Sequence, residues 1–336
     1  MNSKSAPVVL TEPVTGPSAW KRADFTSPDD WTVSFSKDQV VELVEAVKSL
    51  DRDKKSFGEL TAADFPLPTI APVMKDLVAE LEQGRGFAVL RGFPIADLDE
   101  SQLETAYFGL STHVGRATPQ SRDGALVHHV KDRPTSEQKT GGHRGYMSNE
   151  ALPLHTDPSD LLTLLCIKDA AEGGMNQLAS SMTVHNHLLE HHRELLGLLY
   201  KPFAYDRRGT ESAGELPYYW NPIFGYFEGR LACRYYRRER AELAPAKSGV
   251  PLSPVEIAAL DAFDETAALP EHTIELKLRP GDILMVDNNY ALHGRTAFAD
   301  AGTRSRDLLR MSLQPWSPRA FPEGFAAYRE GLPVTA

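Results

Sequence analysis

The chain has 336 residues, of which 41% are apolar, 24% charged and 9% aromatic. That is ordinary globular usage, and it excludes disordered, collagen-like and coiled-coil classes. Lysine and arginine number 36 against 46 aspartates and glutamates, a formal net charge of −10, which repels a phosphate backbone and argues against a nucleic-acid partner. No apolar run approaches the length of a bilayer span, and residues 1–30 lack the basic start and apolar core of a secretory signal. A cytoplasmic protein without a membrane partner is therefore expected. Cys166 and Cys233 match no zinc spacing and read as two buried thiols.

Residues 1–30 are rich in Pro, Ser and Thr, and read as an extended arm that would dock through Trp20 and Trp31. Apolar spacing predicts helices over Ser36–Leu50 and Ile70–Gln83, with Gly84 as the stop of the second. GRGFAVLRGFPI at Gly84–Ile95 is bounded by glycines and a proline and predicts a strand, and Glu100–Leu110 predicts another helix. From about Ala125 the texture changes to short apolar runs between turns: ALVHHV, LLTLLCIK, GRLACRYY, HTIELKL and DILMVDNNYALH. Such spacing belongs to a β-sandwich or barrel. Helices are expected to interrupt it at Met182–Tyr200 and Pro254–Ala267. No composition shift divides the chain, so one domain over 1–336 is expected, mainly β with flanking helices. Arg234, Arg237, Arg238 and Arg240 read as a solvated face.

Leu154-His155-Thr156-Asp157 is the sharpest local signal. Residues i and i+2 of an extended segment project to the same side, so His155 and Asp157 aim an imidazole and a carboxylate at one spot. Both suit a borderline-hard divalent metal, and a third ligand is needed. The best candidate is His293, which follows the predicted strand Asp282–Asp287. Two histidines and one carboxylate describe the facial triad that leaves open positions on non-haem Fe(II). Arg306 and Arg310 follow, four residues apart on a segment of strand alternation, so both should face the same way. An arginine fork matches a carboxylate with two parallel hydrogen bonds.

These residues, together with GRGFAVLRGFP, LPLHTD, the pair Gly173-Gly174, PGDILMVDNNYALHGRTAF and RDLLR, resemble the Fe(II)/2-oxoglutarate-dependent dioxygenases of the taurine dioxygenase and clavaminate synthase-like family. The resemblance covers about Gly84–Pro318 and implies a double-stranded β-helix, or jelly-roll, core over 84–318 with helices packed outside. It implies His155, Asp157 and His293 as iron ligands, Arg306 as partner of the distal carboxylate of 2-oxoglutarate, and Arg310 as a second arginine near cosubstrate and substrate. Family members carry a threonine after the glycine pair that contacts 2-oxoglutarate, whereas this chain has Asn176 there. Amino-acid hydroxylases of this group suggest substrate contacts at Gln120, Asn149 and Glu150. The implied reaction consumes O2 and 2-oxoglutarate, releases succinate and CO2, and hydroxylates, desaturates or cyclises at an unactivated C–H bond of a small polar molecule such as an amino acid or derivative. A carboxylate at Asp157 argues against halogenation.

Two other readings fit parts of the pattern: a zinc hydrolase, since two histidines, a carboxylate and water also make a workable zinc site, and a non-catalytic small-molecule-binding protein on the same fold. Pro134–Asn149 and Arg207–Tyr219 read as lids, and a homo-oligomer is left open.

Overall fold

A computed structural model describes residues 8–50, 55–132, 148–236, 238–302, 305–322 and 324–334. Helix α1 (Lys37–Ser49) begins at Ser36, whose hydroxyl accepts from Gln39 N–H while the Gln39 side chain accepts from Ser36 N–H, a reciprocal capping box. Helix α2 (Ile70–Gln83) buries Ile70, Met74, Leu77 and Leu81 at helical spacing, and Gly84 ends it. Strand β1 (Thr32–Ser34) precedes α1, and β2 (Phe87–Arg91) and α3 (Glu100–Ser111) follow α2.

The short apolar runs become β3 (Gly115–Ala117), β4 (His128–Val130), β5 (Leu152–His155), β6 (Leu161–Lys168), β7 (Glu172–Gly173) and β8 (Asn176–Ser180). After α4 (Ser181–His191) come the hairpins β9 (Pro202–Asp206) with β10 (Tyr218–Pro222), and β11 (Phe224–Phe227) with β12 (Arg230–Cys233). Helices α5 (Arg238–Leu243) and α6 (Pro254–Ala267) lead to β13 (Thr273–Leu276), β14 (Asp282–Asp287), β15 (Ala291–Arg295), β16 (Phe298–Ala299) and β17 (Asp307–Pro315).

Two sheets face each other. The larger runs β1-β2-β14-β6-β17-β3, with β4 also on β17, and the smaller runs β13-β8-β15-β5. Only β1 and β2 pair in parallel within the larger sheet; its other pairs and those of the smaller sheet are antiparallel. Period-two alternation sorts the side chains. Leu161 and Leu165 of β6 and Leu309, Met311 and Leu313 of β17 leave the larger sheet outward to meet α1, α2 and α3. Leu162 and Cys166 of β6, Leu284 and Val286 of β14 and Leu308 of β17 point inward to Leu178 and Ala291 of the smaller sheet. That sheet's outer face, Ala179 and Leu292, packs under α4 and α6. This is the jelly-roll architecture with helices on both outer faces.

Residues 8–31 carry two short 3-10 turns. Trp20 is buried, edge-on to Phe25 and Phe87, and its indole N–H donates to the Arg85 carbonyl at 2.9 Å. Trp31 packs edge-on against Phe25. The arm therefore docks through its tryptophans, on the first strand of the core.

Two local expectations need correction. The helical stretch over Met182–Tyr200 breaks at His192, whose backbone (φ −139°, ψ 42°) leaves the helical region, so Arg193–Leu196 and a 3-10 turn at Gly197–Tyr200 are separate pieces. Arg234 is no part of a solvated face: it is fully buried, with Nη2 donating to Asp160 Oδ1 at 2.7 Å. Charge density alone suggests a solvated face, whereas a carboxylate distant in sequence holds Arg234 in the interior; Arg237 lies outside the described residues. His293 follows the strand Asp282–Asp287, as expected, and lies in a strand of its own. Asn288–Tyr290 carries the chain across from the larger sheet, and His293 sits within β15 of the smaller one.

Candidate metal and cosubstrate site

β5 and β15 are neighbours in the smaller sheet, and His155 and His293 are direct cross-strand partners in that pair. Directly opposed residues bring their side chains within contact range, and the two imidazole centroids are 4.4 Å apart. The close approach depends on Gly294, where a Cβ would meet the Leu152 carbonyl at 2.7 Å. The register shifts just beyond, between His293 and Arg295.

Asp157 lies two residues past His155, at the rim of the strand. Its carboxylate oxygens are 3.8 Å from His155 Nε2 and 3.9 Å from His293 Nε2. These separations are too long for hydrogen bonds and suit donors converging on one ion; one ligand atom from each residue lies within 4.8 Å of the others. The His155 Nδ1–H donates to the Pro153 carbonyl at 2.8 Å, which selects the tautomer that presents the Nε2 lone pair to the cluster. The cluster therefore fits a divalent metal in donor type, tautomer and spacing.

Asn288 holds the turn that carries Asp157. Its amide oxygen accepts from Asp157 N–H at 2.9 Å, and its NH2 donates to the Ser159 carbonyl at 3.0 Å. Its own N–H donates to the Asp160 carbonyl. Asn288→Ala is expected to weaken Fe(II) affinity about 10- to 100-fold with little change in secondary structure, the usual loss when an outer partner of a ligand is removed; anaerobic metal titration beside circular dichroism checks it. Motif spacing does not single out Asn288, although its place in DNNY just before His293 is a hint.

Arg306 immediately precedes β17 and is 4% exposed, and Nη1 has no hydrogen-bond partner among the described residues. Burial pushes its guanidinium pKa down to about 10. Arg295 of β15 is equally buried; burial and the neighbouring Arg306 charge push it down to about 10 as well. Its Nη2 donates to the carbonyls of Ser148 and Glu150. Both guanidiniums lie over the Phe298 ring, at 4.8 and 5.3 Å. The glycine pair puts that ring there. Gly173 and Gly174 both have φ +66°, and a Cβ on Gly173 would strike the Ala297 carbonyl where β7 pairs with β16. Neither guanidinium makes an ion pair with a carboxylate among the described residues, and two buried cations so placed suit an anion.

Arg306, Asn176, His293 and Arg310 line a cavity between the sheets, floored by Leu162, Leu164 and Leu284. A second cavity opens on the other side of His155 and Asp157 and is lined by Gln120, Thr210, Tyr236 and Arg310 among others. His155, Asp157 and Arg310 belong to both walls. Arg310 Nη1 is 3.8 Å from Asp157 Oδ2. Gln120 is 8% exposed and clasps Arg310: its amide oxygen accepts from Arg310 Nε, and its NH2 donates to the carbonyls of Arg310 and Leu126. Asn149 and Glu150 are exposed and line neither cavity, their carbonyls serving Phe298 N–H and Arg295. Most of the expected lid Pro134–Asn149 lies outside the described residues, while Arg207–Tyr219 contributes Arg208 and Thr210 to the second cavity.

The family model for taurine catabolism dioxygenases, the TauD, TfdA family, matches residues 48–312. The chain belongs to that family. FR-33289 synthase of Streptomyces rubellomurinus is 37% identical over 98% of each chain. A uridine-5'-phosphate dioxygenase from a Streptomyces species is 28% identical over 79% of this chain and 97% of its own. Among solved structures, asparagine oxygenase in complex with Fe(II), 3-hydroxyasparagine and succinate is similar over 84% of this chain and 93% of its own, with TM-score 0.65 and 18% identity. Non-heme iron oxygenase OrfP with Fe and alpha-ketoglutaric acid is similar over 84% and 93%, with TM-score 0.60 and 18% identity. The protein is a 2-oxoglutarate-dependent non-haem iron dioxygenase of this family, and its cofactors are Fe(II) and 2-oxoglutarate. The zinc hydrolase reading falls with that membership.

Close to Arg306, His129 of β4 is held by Asp307, its Nδ1 2.8 Å from Oδ1, with Glu104 3.5 Å from Nε2. Hydrogen bonding to Asp307, then to Glu104, raises its pKa to about 9. A raised histidine pKa adds stability that is fully present below the unfolded value near 6.5 and is lost as pH rises through about 9. His129→Gln should therefore lower unfolding stability at pH 6 by about 1–2 kcal/mol after solvent screening and have little effect at pH 10; urea unfolding at the two pH values checks this.

Proposed function

We propose that His155, Asp157 and His293 hold Fe(II), that Arg306 receives the distal carboxylate of 2-oxoglutarate in the inter-sheet cavity beside Asn176, and that the second cavity receives a small-molecule substrate. The observation that carries this reading is the shared wall: His155 and Asp157 line both cavities, and in one of them lies the buried Arg306 guanidinium, whose Nη1 has no hydrogen-bond partner among the described residues. When bound, iron with 2-oxoglutarate and O2 supplies an oxidant able to attack an unactivated C–H bond, and the 2-oxoglutarate leaves as succinate and CO2. The chain's own part is to bind and orient the two organic partners on either side of the ligand set and to keep water from the reacting face. Arg310, fixed by Gln120, serves the boundary between them, and hydroxylation is the outcome we assign.

The substrate we expect is a small polar molecule such as an amino acid derivative. Nucleic acid is disfavoured by the net charge of −10. We read the chain as one oxygenase domain. Among the described residues no helix is long and apolar enough to cross a membrane. Cys166 and Cys233 are buried thiols whose pKa burial pushes up to about 12, in keeping with a cytoplasmic enzyme. A panel of small polar compounds, screened for O2 uptake with Fe(II) and 2-oxoglutarate, tests the reading. One class should stimulate succinate formation in step with product. Uptake that is independent of both iron and 2-oxoglutarate would contradict it.

A further inference from the structure

Four of the chain's 11 histidines fall within His185–His192, and the ligand set His155, Asp157 and His293 includes none of them. His185 is spent in the core, with Nε2 2.9 Å from the Tyr200 hydroxyl. His187 and His191 stand four residues apart in α4 and so share one helix face. Their ring centroids are 4.4 Å apart, the separation found between His155 and His293. His272, between α6 and β13, brings a third imidazole edge-on to His187 at 5.2 Å. It is 2% exposed and fixed in place, its Nδ1–H donating to the Thr266 carbonyl at 2.8 Å, which leaves the lone pair on Nε2. The same device orients His155 through Pro153. Burial, and after it the neighbouring imidazoles of His191, His272 and His192, lower the His187 pKa, so that ring is neutral at pH 7. The Glu190 carboxylate lies 3.7 Å from His191 Nε2 and adds negative charge beside the group.

Independently of the function proposed above, we infer that His187, His191 and His272 form a second metal site, outside the jelly-roll interior, that takes a divalent ion of the Zn(II), Ni(II) or Cu(II) class. Imidazoles that share one ion at a metal–nitrogen distance of about 2.0–2.1 Å place their centroids roughly 4.5–5.2 Å apart for ligand angles between octahedral and tetrahedral. The two measured separations sit at the ends of that range. An all-imidazole set selects these ions over Mg(II), Ca(II) or Mn(II), which want oxygen ligands. It also differs from the inter-sheet set, which includes a carboxylate. α4 packs on the outer face of the smaller sheet through Met182 and Leu188, so an ion here ties the last turn of α4 to the α6–β13 connection without touching the reacting side.

Equilibrium dialysis of the tag-free full chain against Zn(II) near neutral pH tests this. Wild type should hold two ions, and His293→Ala, which lacks one inter-sheet ligand, should still hold one. In that background His187→Gln and His191→Gln should each weaken the remaining ion by at least about 100-fold, since an outer partner alone is worth about 10- to 100-fold. His192→Gln should bind as before, because that ring stands 6.5 Å from His187. With Cu(II) as the probe, electron paramagnetic resonance should show hyperfine coupling to imidazole nitrogens that His191→Gln diminishes. The His191 side chain is half exposed, so His191→Gln alone should melt like wild type and form the same iron–2-oxoglutarate band, which separates a lost ion from a lost fold. No Zn(II) retained by His293→Ala, retention unchanged in both glutamine variants, or an equal loss in His192→Gln would overturn the inference. Two ions held by His293→Ala, one of them lost with His191→Gln, would break the iron-ligand assignment and leave this inference standing.

Discussion

His155→Ala and Asp157→Ala are expected to lose Fe(II) binding and Fe(II)-dependent succinate formation by well over the roughly 100-fold that marks loss of an outer partner. Both residues stand at one end of β5, where the cross-strand pairing with His293 brings the two rings within 4.4 Å. Removing either leaves two donors, too few to hold the ion against water. The same substitutions should leave thermal unfolding of the metal-free protein nearly unchanged, since the Asp157 carboxylate is partly exposed and the His155 ring bonds to the Pro153 carbonyl only two residues away. Anaerobic metal analysis, succinate assay and thermal melts of the metal-free proteins check the pair of outcomes. Near-normal activity in Asp157→Ala would remove the carboxylate from the ligand set.

Arg306→Met should move two quantities in opposite directions. Burial holds the Arg306 guanidinium at a depressed pKa of about 10, with Nη1 unsatisfied, so the protein without cosubstrate carries a buried charge that a methionine of similar length would relieve. Replacing buried charges by well-packed apolar groups is often neutral or stabilising by about 1–4 kcal/mol. Binding of 2-oxoglutarate, by contrast, loses its charge partner, and truncating one side of a buried charge pair costs about 2–5 kcal/mol, or at least tenfold in affinity. The stabilisation that excess 2-oxoglutarate confers by mass action should shrink accordingly. Urea unfolding with and without 2-oxoglutarate reads both. A variant that is destabilised alone yet binds 2-oxoglutarate normally would show Arg306 to be a packing residue.

Much of the candidate site was legible because two short-range rules carry it. Parity along an extended segment aligned His155 with Asp157, and the four-residue spacing put Arg306 and Arg310 on one cavity wall. The same parity rule, applied two residues beyond His293, would have found Arg295, whose buried guanidinium shares Phe298 with Arg306. The helices Lys37–Ser49, Ile70–Gln83 and Pro254–Ala267 were readable from apolar spacing and caps. Long-range pairing was not readable. Arg234 looked solvated until Asp160 appeared beside it, and nothing local to the β9–β10 connection announced that Arg208 would face the same cavity as Arg240. The crossing from β14 to β15 was hidden for the same reason: a continuous DILMVDNNYALH carries no mark of where one sheet ends and the other begins, whereas Asn288 and Asn289 make that passage by bonding to Ser159 and Asp287.

The most direct test adds Fe(II) and 2-oxoglutarate anaerobically to the purified protein and records the weak visible charge-transfer band of the bidentate chelate, in wild type, His293→Ala and Arg306→Met. The account predicts a band in wild type, none in His293→Ala, and a band in Arg306→Met that needs at least about tenfold more 2-oxoglutarate to saturate. Iron bound by the wild type with no band at any 2-oxoglutarate concentration, or a band indifferent to both substitutions, would contradict it.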